Sequence, residues 1–143
     1  MRLSEAIRLG SMDHPQAFGA LLRPDGARCV MGSAALAVGI PCAVTDFGTP
    51  LWEVSAFDRE AAEAMWRVWP ILKDWATCPG CGFQGDLGNI AAHLNDGHLW
   101  TREQIADWVQ TIEPSETPTV SDDSQASDAV AREDAVGVTV HAR

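Results

Sequence analysis

The chain is 143 residues long and carries 20 acidic against 10 basic side chains, a net charge of −10. That length is the usual size of one domain, and 46% hydrophobic residues are too many for a wholly disordered chain. The charge argues against affinity built on neutralising many phosphates, because that needs clustered Lys and Arg. The longest uncharged stretch, Cys29–Thr45, is broken by Gly and Pro and falls short of the roughly 20 apolar residues of a membrane span. Glu5 and Arg8 stand where a secretory signal needs an apolar run, so a cytoplasmic protein is expected.

Ser4 reads as a helix N-cap, with Ala6, Ile7 and Leu9 forming a short apolar face before Gly10. A polar loop follows, and Arg23-Pro24-Asp25-Gly26 marks a turn within it. Cys29 to Val38 predicts a buried helix of small residues that lets other backbone approach closely, with Gly39 at its C-terminal cap and Pro41 blocking continuation. Cys29 and Cys42 read as buried thiols rather than a disulfide. A loop runs through Phe47-Gly48-Thr49-Pro50, and Asp58 to Trp69 is again helical, with Ala62, Met65, Trp66 and Trp69 on one face. Pro70 ends that helix, and a short piece through Ile71 and Leu72 leads to Trp75. No Lys/Arg track runs beside Trp66, Trp69 and Trp75, so core packing is expected of them rather than base stacking.

The chemistry lies in residues 78–98, which read Cys78-Pro79-Gly80-Cys81-Gly82, then His93-Leu94-Asn95-Asp96-Gly97-His98. The spacing is Cys-x2-Cys-x11-His-x4-His. Zinc takes four N or S ligands in a tetrahedron, and two Cys two apart with a close His pair supply them. Pro79 pre-sets the turn between the cysteines, and Gly80 and Gly82 permit the φ values it needs. Phe83-Gln84 returns as a short strand, and Asp86 caps a helix whose apolar stripe is Leu87, Ile90, Ala91 and Leu94. Cys78, Cys81, His93 and His98 are the predicted Zn2+ ligands. Asn95 and Asp96 are expected to orient an imidazole or cap the helix end.

Thr101-Arg102-Glu103-Gln104 is a capping box with Thr101 as N-cap, and Trp100 and Ile105 are placed to form its hydrophobic staple. Ile105, Trp108, Val109 and Ile112 then make one amphipathic face. All ten aromatic residues precede residue 109, and residues 113–143 contain no Leu, Ile or Met, so a disordered acidic tail is expected there.

In order and spacing residues 78–98 resemble the two-Cys, two-His zinc finger, with a gap one residue shorter than usual and without its usual core aromatics. The string from Ala92 to Trp108, with Leu3–Gly10 and Cys29–Gly39, is similar to small uncharacterised proteins of bacteria and their phages. That resemblance covers about residues 1–112 and implies an accessory protein, with no activity to carry over. The expected fold is mainly α: a helical N-terminal region (1–76), a zinc-finger-like ββα unit with an amphipathic helix (77–112), and the tail (113–143).

Three functions compete. Four good ligands favour a closed structural site over a catalytic zinc, which keeps an open position, so a hydrolase or nuclease ranks below a non-enzymatic role. Residues 77–100 hold two Asp and no Lys or Arg, which disfavours a nucleic-acid reader unless Arg2, Arg8, Arg23, Arg28, Arg59 and Arg67 assemble a basic surface. The expected function is a non-catalytic zinc-binding module that contacts a protein partner, with no membrane role.

Overall fold

The computed structural model describes residues 1–45 and 59–115. The expected loop at Phe47–Pro50 and the expected tail after residue 115 lie outside the described residues. In chain order the elements are α1 (Leu3–Ser11), α2 (Val30–Ala37), α3 (Arg59–Val68), a 3₁₀ turn (Pro70–Lys73), β1 (Trp75–Thr77), β2 (Gln84–Asp86), α4 (Leu87–Asp96) and α5 (Arg102–Ile112). The described residues thus form five α-helices and one two-stranded antiparallel sheet, in which Trp75 pairs with Asp86 and Thr77 with Gln84. No helix among the described residues is long and apolar enough to cross a membrane.

Helix α1 starts earlier and ends later than its sequence predicts. Arg2 is its N-cap residue, and the Glu5 carboxylate accepts a hydrogen bond from the Arg2 backbone N–H at 3.1 Å. Ser4 is instead buried in the first turn, where its hydroxyl donates to Glu113 at 2.5 Å and its backbone N–H donates to the same carboxylate at 3.2 Å. Gly10 does not stop the helix because it is where α2 crosses. A Cβ on Gly10 would lie 1.7 Å from the Ser33 carbonyl oxygen. Gly32 on α2 is packed as tightly against the loop before it, where a Cβ would lie 1.9 Å from the Leu21 carbonyl oxygen. The small residues of α2 therefore do what was expected of them, and Gly39 caps the helix end at φ 72°.

The core gathers Leu3, Ile7, Val30 and Ala34 with Leu72, Leu87, Ile90, Leu94, Ile105 and Val109 in one buried cluster. Helix α3 contributes Ala61 and Met65, and Trp69 follows on the same side, so its buried face is rotated from the predicted one. Of the three Trp expected inside, only Trp69 is buried, and its indole N–H donates to the Met1 carbonyl at 3.1 Å. Trp66 is 39% exposed, with the Lys73 ammonium 4.8 Å from its ring centre. Trp75 is 73% exposed because β1 alternates and turns only Ala76 inward.

Two charged residues hold the periphery to this core. Arg102, in the first turn of α5, is buried and donates to the carbonyls of Ser11, His14, Pro15 and Arg28 and to the Ser33 hydroxyl. Burial lowers its pKa, yet a guanidinium keeps its charge in proteins. Glu113, assigned to the tail by composition, is buried, pairs with Arg2 at 3.3 Å and binds Ser4. The Glu113 carboxylate thus ties the end of α5 to the start of α1.

A Gly-to-Ala change inside a helix ordinarily gains about 1 kcal/mol. At Gly10 the sign should reverse, with Gly10→Ala losing about 3 kcal/mol in a denaturant titration, because backbone lies where the methyl must go. A neutral or stabilising result would contradict the α1–α2 crossing.

Candidate metal centre

The hairpin builds the first half of the site. Its strands are joined by a knuckle in which Cys78 N–H donates to the Phe83 carbonyl at 2.7 Å and Gly82 N–H donates to the Cys78 carbonyl at 2.9 Å. Gly82 makes the reversal at φ 78°, a conformation that side chains with a Cβ resist. Gly80 serves differently from the sequence expectation. It supplies closeness, since a Cβ there would lie 2.9–3.1 Å from three ring atoms of His98.

Helix α4 builds the second half. Asp86 is its N-cap, accepting from Asn89 N–H at 2.8 Å, and the stripe Leu87, Ile90, Ala91 and Leu94 is buried as predicted. That anchoring presents His93 at the last turn. The helix ends at Asp96, and Gly97 and His98 both donate backbone N–H groups to the His93 carbonyl, at 2.8 and 3.3 Å. The chain thereby wraps His98 back beside His93, with their rings edge to face at 4.8 Å. Leu99, at φ 56°, then turns the chain into α5, which opens with the predicted Thr101–Gln104 capping box.

Cys78, Cys81, His93 and His98 each offer one ligand atom, and these atoms lie within 4.8 Å of one another. The Cys81 Sγ to His93 Nε2 separation is 3.3 Å. Zinc bond lengths give a tetrahedron of two S and two N donors whose edges are about 3.3–3.8 Å, so small side-chain movements would fit the donors around an ion. Cys78 is buried, the imidazoles are half-buried and Cys81 is exposed. His98 Nε2 is a buried polar atom without a hydrogen-bond partner among the described residues. A buried lone pair left so is costly, and a cation within the donor set would relieve the cost. The donors therefore fit a metal ion. The Phe83 ring centre lies 5.3 Å from that of His93, the two rings tilted at 48°.

No other group of three or more His, Cys, Asp or Glu converges in this way among the described residues. Cys29 and Cys42 stand apart from the centre. Burial pushes the Cys29 thiol up to about 12, against a smaller opposing effect of the Gly32 N–H. The Cys42 thiol is half-buried near the Ile40 carbonyl.

The hydrogen bonds of Asn95 and Asp96 run to the N-terminal loop, not to an imidazole. Asn95 is fully buried; its Oδ1 accepts from Gln16 at 2.9 Å and from Val30 N–H at 3.3 Å, while its Nδ2 donates to the Ala17 carbonyl at 2.9 Å. Asp96 accepts from Gly19 N–H at 3.0 Å and from Asn95 Nδ2 at 2.6 Å. The sequence held one sign of this. Asn95 stands four residues after Ala91 on the apolar stripe, where a polar residue needs buried partners.

Known protein families, curated proteins and solved structures contain no match to this chain. Its donor geometry therefore carries the functional argument.

Gly80→Ala should weaken metal binding roughly tenfold or more with all four donors retained, because the methyl displaces the His98 ring; a competition titration giving unchanged affinity would contradict the packing. Cys29 should resist iodoacetamide in the folded protein near pH 8. The unfolded chain gives up that proton near the ordinary thiol value of 9.0 and the folded chain near 12, so stability should fall as pH rises across that window. Cys29→Ala should abolish this part of the slope.

Proposed function

We propose that the protein is a non-catalytic zinc-binding module of the zinc-finger-like kind, whose metal fastens the hairpin to α4 and presents a surface to a protein partner. The convergence of two thiols and two imidazoles carries this reading. A tetrahedral S2N2 donor set suits zinc, and four protein ligands leave no open position for a substrate or an activated water. The Cys81–His93 contact alone would also suit a thiol activated by an imidazole. Cys78 and His98 arriving at the same point favour a metal instead.

A protein partner is preferred to nucleic acid on electrostatic grounds. Residues 77–100 contain no Lys or Arg. Arg8 is held by Glu103 at 2.9 Å and Asp107 at 2.6 Å, bonds that raise its pKa, and Arg2 is held by Glu113 at 3.3 Å. Arginines so neutralised add little to phosphate attraction.

Purified protein should contain about one zinc per chain, and cobalt substitution should give the visible absorption of a tetrahedral thiolate centre. Cys78→Ser should lose both. Metal analysis finding no zinc, with Cys78→Ser as stable as the parent, would remove the zinc reading. Tight, salt-sensitive binding to duplex DNA would replace the protein partner with nucleic acid.

A further inference from the structure

We propose that metal occupancy controls the order of the N-terminal loop between α1 and α2, and that this loop in turn sets the affinity for the metal; the proposal rests on the metal reading above. The last turn of α4 contains both parts of the device. His93 and His98 bracket it, and between them Asn95 and Asp96 hold the loop. One short stretch of backbone thus carries two metal ligands and two loop anchors.

The physical basis is the weakness of helix ends. The final carbonyls of a helix lack intrahelical partners, so its last turn opens first. In α4 that turn is closed by Gly97 and His98 bonding to the His93 carbonyl. A cation joining the two imidazoles across the turn would oppose its opening, because both ligands would have to leave the ion for the turn to unwind. Asn95 and Asp96 keep their positions only while the turn is closed. Open, it would release Ala17, Gly19 and Val30 from their side-chain partners, and Gln16 from Asn95. Gln16 also donates to the Trp100 carbonyl at 2.8 Å, so the same loop residue grips the chain on both sides of His98.

Arg102 holds the two ends of the loop, and the stretch from Gln16 to Gly19 is where Asn95 and Asp96 hold it. Its backbone forms no strand ladder, only isolated bridges of Gln16 with Arg28 and of Leu22 with Arg28 and Val44 and the turn at Arg23–Gly26. It presents Phe18, 42% exposed, between the residues that Asn95 and Asp96 hold. What the metal would switch is therefore the definition of a surface well separated in sequence from its ligands. Coupling of this kind is reciprocal: if metal orders the loop, an intact loop tightens metal binding by the same factor.

The test uses the full chain, stripped with a chelator and reloaded with zinc, and followed by amide hydrogen exchange. Zinc should slow exchange at Gly19 and Val30 roughly tenfold or more, together with Gly97 and His98, and change Ile105 and Val109 in α5 much less. Gln16→Ala leaves all four ligands in place and should weaken zinc binding roughly fivefold. Asp96→Ala, a change at an exposed position, should act in the same direction if Gln16→Ala fails to fold. Zinc binding that leaves Gly19 and Val30 unmoved, that slows every amide equally, or that is as tight in both variants as in the parent overturns the coupling while sparing the metal site. Absence of zinc binding by the unaltered chain overturns both.

Discussion

The guanidinium of Arg102 is the contact on which the arrangement of the described residues depends. The loop between α1 and α2 has little sheet pairing, and its inward carbonyls need donors as any buried backbone group does. One side chain from α5 reaches carbonyls of Ser11, His14, Pro15 and Arg28 and the Ser33 hydroxyl. It joins the end of α1, both ends of the loop and the body of α2 to a helix far along the chain. A buried charge is ordinarily a liability. Here a planar group with several donors is matched by acceptors on most sides, the condition under which burying a charge is tolerable.

Asn95 repeats the principle with an amide, giving and receiving hydrogen bonds where α4 meets the other side of the same loop. The two residues explain how a region poor in regular structure lies firmly against the helices. They also explain the position of the candidate metal centre. The hairpin and α4 supply the donors, but α4 is held in place through its contacts with the loop and the core.

Much of this could be read from the chain. The Cys and His spacing singles out the four residues that converge, because ligand geometry restricts separation along the chain. The Thr101 capping box, the Asp86 cap and the Gly39 terminus followed from local hydrogen bonding, which depends on near neighbours. What escaped notice depends on distant partners. Ser4 reads as a cap because nothing near it in sequence signals the distant Glu113 that it binds. Glu113 looked like tail because composition cannot register one ion pair. Trp75 looked internal because hydrophobicity does not say which side of a two-stranded sheet is covered.

The close approaches at Gly10 and Gly32 bear on how this fold can diverge. A core filled by large side chains can be rebuilt by exchanging volumes among them. Where a glycine faces a carbonyl oxygen at less than 2 Å from its missing methyl, there is no side chain to shrink in exchange. Distant descendants of this chain could replace the exposed Trp66 and Trp75 and still fold. They would be recognised by two glycines, an arginine and an asparagine, residues that carry little weight in a hydrophobic pattern.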